Sequence, residues 1–422
     1  MANVYIVLNA VLYCGLLLFL LKKKFDILHI YTASFYVLCA FCGIIHYNIG
    51  LFQYHNITLF PFIYLFAFII IAFYPIFSSS PTQIETIETN DRLLKIITLF
   101  IIFLSVIPFI ENLMLLGNIT NQSDYMTSMY DSIHGSDGKS QVVGYSYFGN
   151  KMMNLCKNLA NIIPIAFFYY LSKKKLNKWL IMGIALSLIN LYLNSYITAS
   201  RSTIVREIIY LIFVYFLFKN NIADNIKKKI KFYFLIIFSF LLFVLIVISI
   251  ARFSSMYENN NRTEMSMFAW LIWYAGESML NFNEYVWSMD STMSGNCCFS
   301  LFLDFMGYDT FFDTTTRRFY WEMKTGIPQY IFYTFIGNFV EDFGKIGGGI
   351  FVLVLSLILK KYMRLRKSTS LSTIIIYCTW GKVCLLGFTF YSYPSYSAYV
   401  LIFSLFVSFV LSFHPHVKNI TI

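Results

Sequence analysis

Three carboxylates and a set of arginines in the C-terminal half of the chain could do chemistry together. Glu277 and Glu284 stand seven residues apart, so a helix would place them on one face. Asp342 follows in the run Glu341-Asp342-Phe343-Gly344-Lys345-Ile346-Gly347-Gly348-Gly349, where it reads either as a general base or as a helix cap. Arg252, Arg262, Arg317 and Arg318 lie in the same stretch, and Arg201 and Arg206 lie in a short segment upstream. A carboxylate can take a proton from a hydroxyl. Arginine suits phosphate because its planar fork donates two parallel hydrogen bonds and keeps its charge. The implied chemistry is transfer from a phosphate-bearing donor to a hydroxyl, without a metal.

Arg201 opens a predicted helix in Ala199-Ser200-Arg201-Ser202-Thr203. A cation there opposes the helix dipole unless an anion binds beside it; the alternative is a snorkelling arginine next to a Ser/Thr cap. Arg206 and Glu207 follow inside an apolar run, where ionisable residues are expensive, and as neighbours in sequence they cannot face each other. Glu111 is a candidate partner for an arginine, as a structural pair. The spacing of Phe268, Leu271, Ala275, Met279, Phe282 and Val286 predicts an amphipathic helix lying at the membrane interface. Its other face carries Trp270, Trp273, Glu277, Asn281 and Glu284, turned either to a cleft or to solvent. Trp270, Trp273, Trp287 and Trp321 are candidates for stacking on sugar rings.

Other chemistries lack their residues. His46, His55 and His134 form no metal-spaced cluster, so no metal site is expected, and no phosphate-cradling glycine motif is present. Cys39 and Cys42 have redox-pair spacing but stand alone within an apolar run. Cys297 and Cys298 are adjacent, and adjacent cysteines rarely bridge, so no structural disulfide is expected.

These residues must be positioned by membrane helices. Of 422 residues, 58% are hydrophobic and 13% charged, about half the charged share of a soluble domain. Apolar runs at 4–21, 27–45, 59–77, 93–116, 152–171, 179–195, 204–218, 232–250, 347–359, 371–390 and 396–413 predict an all-α integral membrane protein, a polytopic bundle of about eleven spans. The first run lacks a basic leader and a cleavage site and is expected to be retained. The net charge of +11 sits in short clusters between runs, a membrane-anchor pattern that excludes a nucleic-acid face. Segments 22–26, 78–95, 172–178, 219–231, 360–370 and 414–422 hold 20 Lys or Arg in 63 residues, against 10 in 160 on the alternate side. This asymmetry places the N-terminus outside and the C-terminus in the cytoplasm. The chain reads as a single polytopic domain, 1–422, with outer loops at 117–151 and 251–346. The larger loop has 24 aromatic residues among 96, too many for a disordered connection, and reads as the cap of an active site carrying interfacial helices.

The number of spans, the loop Thr198-Ala199-Ser200-Arg201-Ser202-Thr203, the large aromatic loop and the Asp342-Phe343-Gly344…Gly347 re-entry together resemble the bacterial oligosaccharide repeat-unit polymerases, the O-antigen polymerase (Wzy-type) family. The resemblance implies a GT-C-like fold in the bacterial inner membrane. It implies a metal-independent glycosyltransferase, without cofactor, that polymerises undecaprenyl-diphosphate-linked repeat units at the outer face. The product would be O-antigen, capsule or exopolysaccharide. A chain-length regulator and a flippase are the protein partners implied, with no nucleic acid. By this resemblance Arg201 and Arg252 hold diphosphate, joined by Arg206, Arg317 and Arg318. Two departures stand out. Ile212 and Thr263 occupy positions where some members carry glycine, eleven residues after each key arginine, and the large loop has no histidine. The base is therefore expected to be a carboxylate, Glu277 first, then Glu284, with Asp342 also a candidate, or the substrate itself.

Three other readings share the membrane setting. A lipid-linked oligosaccharide flippase would have two related halves and short loops, and this chain has neither. An O-antigen ligase would carry a histidine in the large loop. A membrane acyltransferase would offer a histidine-based site, which is also missing.

Overall fold

A computed structural model describes residues 1–50, 52–119, 144–198, 200–233, 239, 267–308 and 314–413. In chain order the helices are α1 (Ala2–Lys22), α2 (Ile27–Ile49), α3 (Leu59–Phe77), α4 (Asp91–Ile119), α5 (Tyr147–Asn158), α6 (Ile162–Ser172), α7 (Lys178–Ile197), α8 (Arg201–Phe218), α9 (Met267–Asn281), α10 (Ser300–Phe305), α11 (Thr314–Thr325), α12 (Phe335–Tyr362), α13 (Leu371–Leu386) and α14 (Ala398–Ser412). Two three-residue strands, β1 (Thr86–Glu88) and β2 (Ser368–Ser370), pair in parallel.

Among the described residues, seven helices are long and apolar enough to cross a membrane, and the chain is an all-α multi-pass membrane protein. α4 shows the logic. Its buried positions Leu94, Thr98, Ile101, Ser105 and Asn112 recur at helical spacing, while Ile96, Phe100, Phe103, Ile110 and Met114 are exposed. Polar residues face the protein and apolar ones face outward, as suits a helix whose outer solvent is lipid.

The chain forms two compact units. The first comprises Met1–Pro81, Met265–Arg364 and Tyr377–Tyr399, and the second Thr82–Glu264, Leu365–Ile376 and Val400–Ile422. In the second, the expected span 152–171 is broken into α5 and α6 by a turn at 159–161. Pro164 falls in the first turn of α6, where its missing N–H is harmless; in an unbroken helix its ring would collide with the carbonyl four residues earlier. The run 232–250 lies almost wholly outside the described residues.

In the first unit, α12 begins twelve residues before the expected span 347–359, and it is bent at Gly344, whose φ of 73° no helix interior accommodates. The half before the bend, Phe335–Asp342, is wholly buried. α9 packs on α2 with backbone against backbone: a Cβ at Gly276 would run into Cys42 and Gly43. From Gly276 to Glu284 every residue is buried, so the second half of α9 is not an interfacial helix resting its apolar side on lipid. Protein surrounds it, and the polar residues on it are paired inside.

Candidate functional site

All three candidate carboxylates lie in the first unit, and the structure gives them different surroundings. Glu284 is 6% exposed and spent on the backbone. Its carboxylate accepts the His55 N–H at 3.1 Å and the Asn56 N–H at 2.8 Å. Beside it Asn283 accepts from the Thr58 N–H at 3.0 Å and donates to the Thr58 carbonyl at 2.7 Å. The two side chains thus tie residues 55–58, the approach to α3, onto a π-helical turn at Phe282–Val286 that continues α9.

Asp342 is likewise occupied. Its two oxygens accept the N–H groups of Cys297 and Cys298, each at 2.8 Å. It caps no helix: the amides it holds belong to the turn at 297–298.

Glu277 differs. It is 1% exposed, and its Oε1 has no hydrogen-bond partner. Its Oε2 accepts from Asn281 Nδ2 at 3.1 Å. The same Asn281 nitrogen donates to the Phe332 carbonyl at 3.0 Å, and Asn281 Oδ1 accepts from the Tyr54 hydroxyl at 3.2 Å. Tyr54 has one proton, already given to Asn281, so its oxygen accepts from His46 Nε2 at 3.0 Å. Every donor in the row His46–Tyr54–Asn281–Glu277 therefore points toward the carboxylate. Burial pushes the Glu277 carboxyl up to about 8, against the pull of Asn281 toward the charged form. The result is a buried carboxylate held through Oε2, with no hydrogen-bond partner on Oε1, that exchanges its proton near neutral pH.

An aromatic row runs beside it. Phe52 stacks on Trp273 with ring centres 5.1 Å apart, and Trp273 stacks on Tyr274 at 5.1 Å. Tyr274 meets Phe332 at 6.0 Å, and Phe332 stacks on Phe390 at 5.4 Å. Phe52 and Tyr274 are exposed. Of the predicted stacking residues, Trp273 sits in this row. Trp287 is covered on one face by Lys345, 4.7 Å from its ring centre, and packs against Phe60, Tyr64 and Phe282. Trp321 is buried, with the Arg317 guanidinium 4.9 Å from its ring, so it is not free to receive a sugar. The side chain of Trp270 lies outside the described residues.

Among the described residues, the arginines divide between the two units. Arg317 belongs to the first unit, half-buried, where it donates to the Ser395 hydroxyl. Arg318 beside it is exposed. Arg201 and Arg206 open α8 in the second unit, with Arg206 half-buried. Glu111, the suggested partner for an arginine, accepts instead from Ser146, the residue that caps α5. Arg252 and Arg262 lie outside the described residues.

Sequence reasoning passed over several groups. Lys382 is buried in α13, and the signal was present, since a lysine inside an apolar run is costly. Tyr54 and His46 gave none, because their role depends on a contact across more than 220 residues. The adjacent Cys297 and Cys298 and the distant Asp342 bring potential metal-ligating atoms within 4.8 Å of one another. Comparison with protein-family models, with curated proteins and with solved structures found no match for this chain.

Proposed function

We propose that this protein is a membrane glycosyltransferase that polymerises undecaprenyl-diphosphate-linked oligosaccharide repeat units into a surface polysaccharide. The observation that carries this reading is Glu277, a buried carboxylate with one unpartnered oxygen beside a row of stacked rings. Glu277 Oε1 takes the proton of the acceptor sugar hydroxyl as that oxygen attacks the anomeric carbon of the donor glycan. The bond from the anomeric carbon to the lipid diphosphate breaks, and the diphosphate leaves with the electron pair. Arginine charge, from Arg317 and Arg318 of the same unit, stabilises the departing group. Rings of the Phe52–Trp273–Tyr274 row hold the apolar faces of the sugars.

The setting in this reading is a GT-C-like bundle of about eleven spans. This reading takes as spans the seven long apolar helices, the shorter Ile162–Ser172 and Leu371–Leu386, α8 and the apolar run 232–250. The N-terminus and the segment around Glu277 face outward from the bacterial inner membrane, and the lysine-rich connections face the cytoplasm.

Deletion of the gene tests the reading. The deletion strain is expected to display single repeat units on its surface glycan, and the full chain supplied in trans restores the ladder. An unchanged ladder in the deletion strain would contradict it.

A further inference from the structure

We propose that Cys297, Cys298 and Asp342 form a binding site for a soft or borderline divalent cation of the zinc class, which fastens the loop 293–298 to the bend of α12. The site is separate from Glu277 and does not depend on the reading above.

The bend creates the need. The first half of α12 ends at Gly344, and a helix end leaves carbonyls without partners. The loop answers them: Met293 N–H donates to the Glu341 carbonyl at 2.9 Å and Ser294 N–H to the Asp342 carbonyl at 3.0 Å. The Asp342 side chain then holds the next turn through the Cys297 and Cys298 amides. A carboxylate offers about four acceptor positions, so two such bonds leave room for another ligand on the same oxygens. The two thiol sulfurs and a carboxylate oxygen of Asp342 converge within 4.8 Å. In a tetrahedral site with zinc–sulfur bonds of about 2.3 Å, the sulfurs are roughly 3.8 Å apart, a spacing within that bound.

The charges point the same way. Glu341 lies beside Asp342, fully buried, accepting from the Tyr333 hydroxyl at 2.7 Å and from Gln329 at 3.4 Å. Two buried carboxylates thus sit at the negative end of a half-helix, where the dipole favours a cation. The ion pairs among the described residues, Lys173–Asp91, Lys227–Asp224 and Lys367–Glu85, involve neither carboxylate. The neighbouring cation, Arg317, is engaged by Ser395 and the Trp321 ring. Asn338 Nδ2 donates to Cys297 Sγ at 3.3 Å, a hydrogen bond of the kind that orients a metal-bound thiolate. Two thiols with a carboxylate select zinc-class ions over magnesium and calcium, which take oxygen ligands. Binding exchanges protons for metal: two S–H bonds break, two metal–sulfur bonds form, and two protons leave to solvent.

The test uses the full chain purified in detergent, stripped of metal and titrated with Cd2+ as a spectroscopic probe. A thiolate-to-cadmium charge-transfer band should grow to one ion per chain, Zn2+ should compete it away, and excess Mg2+ should leave it unchanged. Cys297→Ser and Cys298→Ser should each lose the band. These variants are expected to fold, because Asp342 holds main-chain amides that the substitutions leave in place. Cys39→Ser with Cys42→Ser should keep the band. Failure of the folded wild-type chain to give a band, or a band that survives the Cys297 and Cys298 variants and vanishes in the Cys39 and Cys42 variant, would overturn the proposal.

Discussion

Asn281 Nδ2 donates to Glu277 Oε2 across 3.1 Å, one helical turn away on α9, and Oε1 of the same carboxylate is left unpartnered. The arrangement holds the side chain in place while leaving one buried oxygen without a hydrogen-bond partner. It also makes an ionised Glu277 expensive in the folded protein, since burial outweighs the hydrogen bonding from Asn281, Phe332 and Trp273.

That expense has a sign. The folded-state carboxyl titrates at about 8 against an ordinary value of 4.5. Unfolding therefore releases protons, and the stability tied to the neutral form is full below 4.5 and is lost as pH rises through about 8. The thermal midpoint of the detergent-solubilised chain should fall across that window. Glu277→Gln should flatten the dependence, and an unchanged slope in that variant would locate the titrating group elsewhere.

Asn281 should act on catalysis by positioning. Asn281→Leu removes the donor to Oε2 and the acceptor for Tyr54. A hydrogen bond to a charged group contributes about 1.5–3 kcal/mol, so the Glu277 carboxyl should rise by about one to two pH units. The acidic limb of the turnover–pH profile should shift upward accordingly, and Tyr54→Phe should give a smaller shift in the same direction. A loss of turnover with no movement of the limb would mark Asn281 as merely structural.

Glu284 should matter to stability and little to chemistry. Glu284→Gln weakens two bonds to backbone N–H groups and should cost about 1.5–3 kcal/mol. Chemical unfolding should register the loss while turnover per folded molecule stays near wild type. Turnover abolished in well-folded Glu284→Gln would return this residue to the list of candidate bases.

Gly276 should tolerate no side chain. Gly276→Val drives methyl groups into the backbone of Cys42 and Gly43, an overpacking of about 1–3 kcal/mol or more. A lowered thermal midpoint and faster proteolysis are expected, with Gly276→Ala intermediate.

The long apolar helices were legible because lipid demands an unbroken run, and those at 2–22, 27–49, 59–77 and 178–197 lie close to their expected bounds. The break before Pro164 was written in the chain but masked by apolar residues on both sides. The extension of α12 back to Phe335 was harder to see. Phe335–Asp342 carries Asn338, Glu341 and Asp342, which read as loop until their partners Tyr333, Tyr391 and the Cys297–Cys298 backbone are known. The site was legible as a set of residue types and not as roles. Glu277 and Glu284 share the same spacing and face, and only the folded contacts reveal that one is consumed by backbone amides while the other keeps an unpartnered oxygen.

The most direct test of the account is turnover by the purified full chain with a lipid-diphosphate-linked repeat unit, following product length and release of the lipid diphosphate together. Wild type should give a ladder with one lipid diphosphate freed per added unit. Glu277→Gln should fold, bind the substrate and form no ladder, with Glu277→Asp partly active. A full ladder from Glu277→Gln would contradict the central claim.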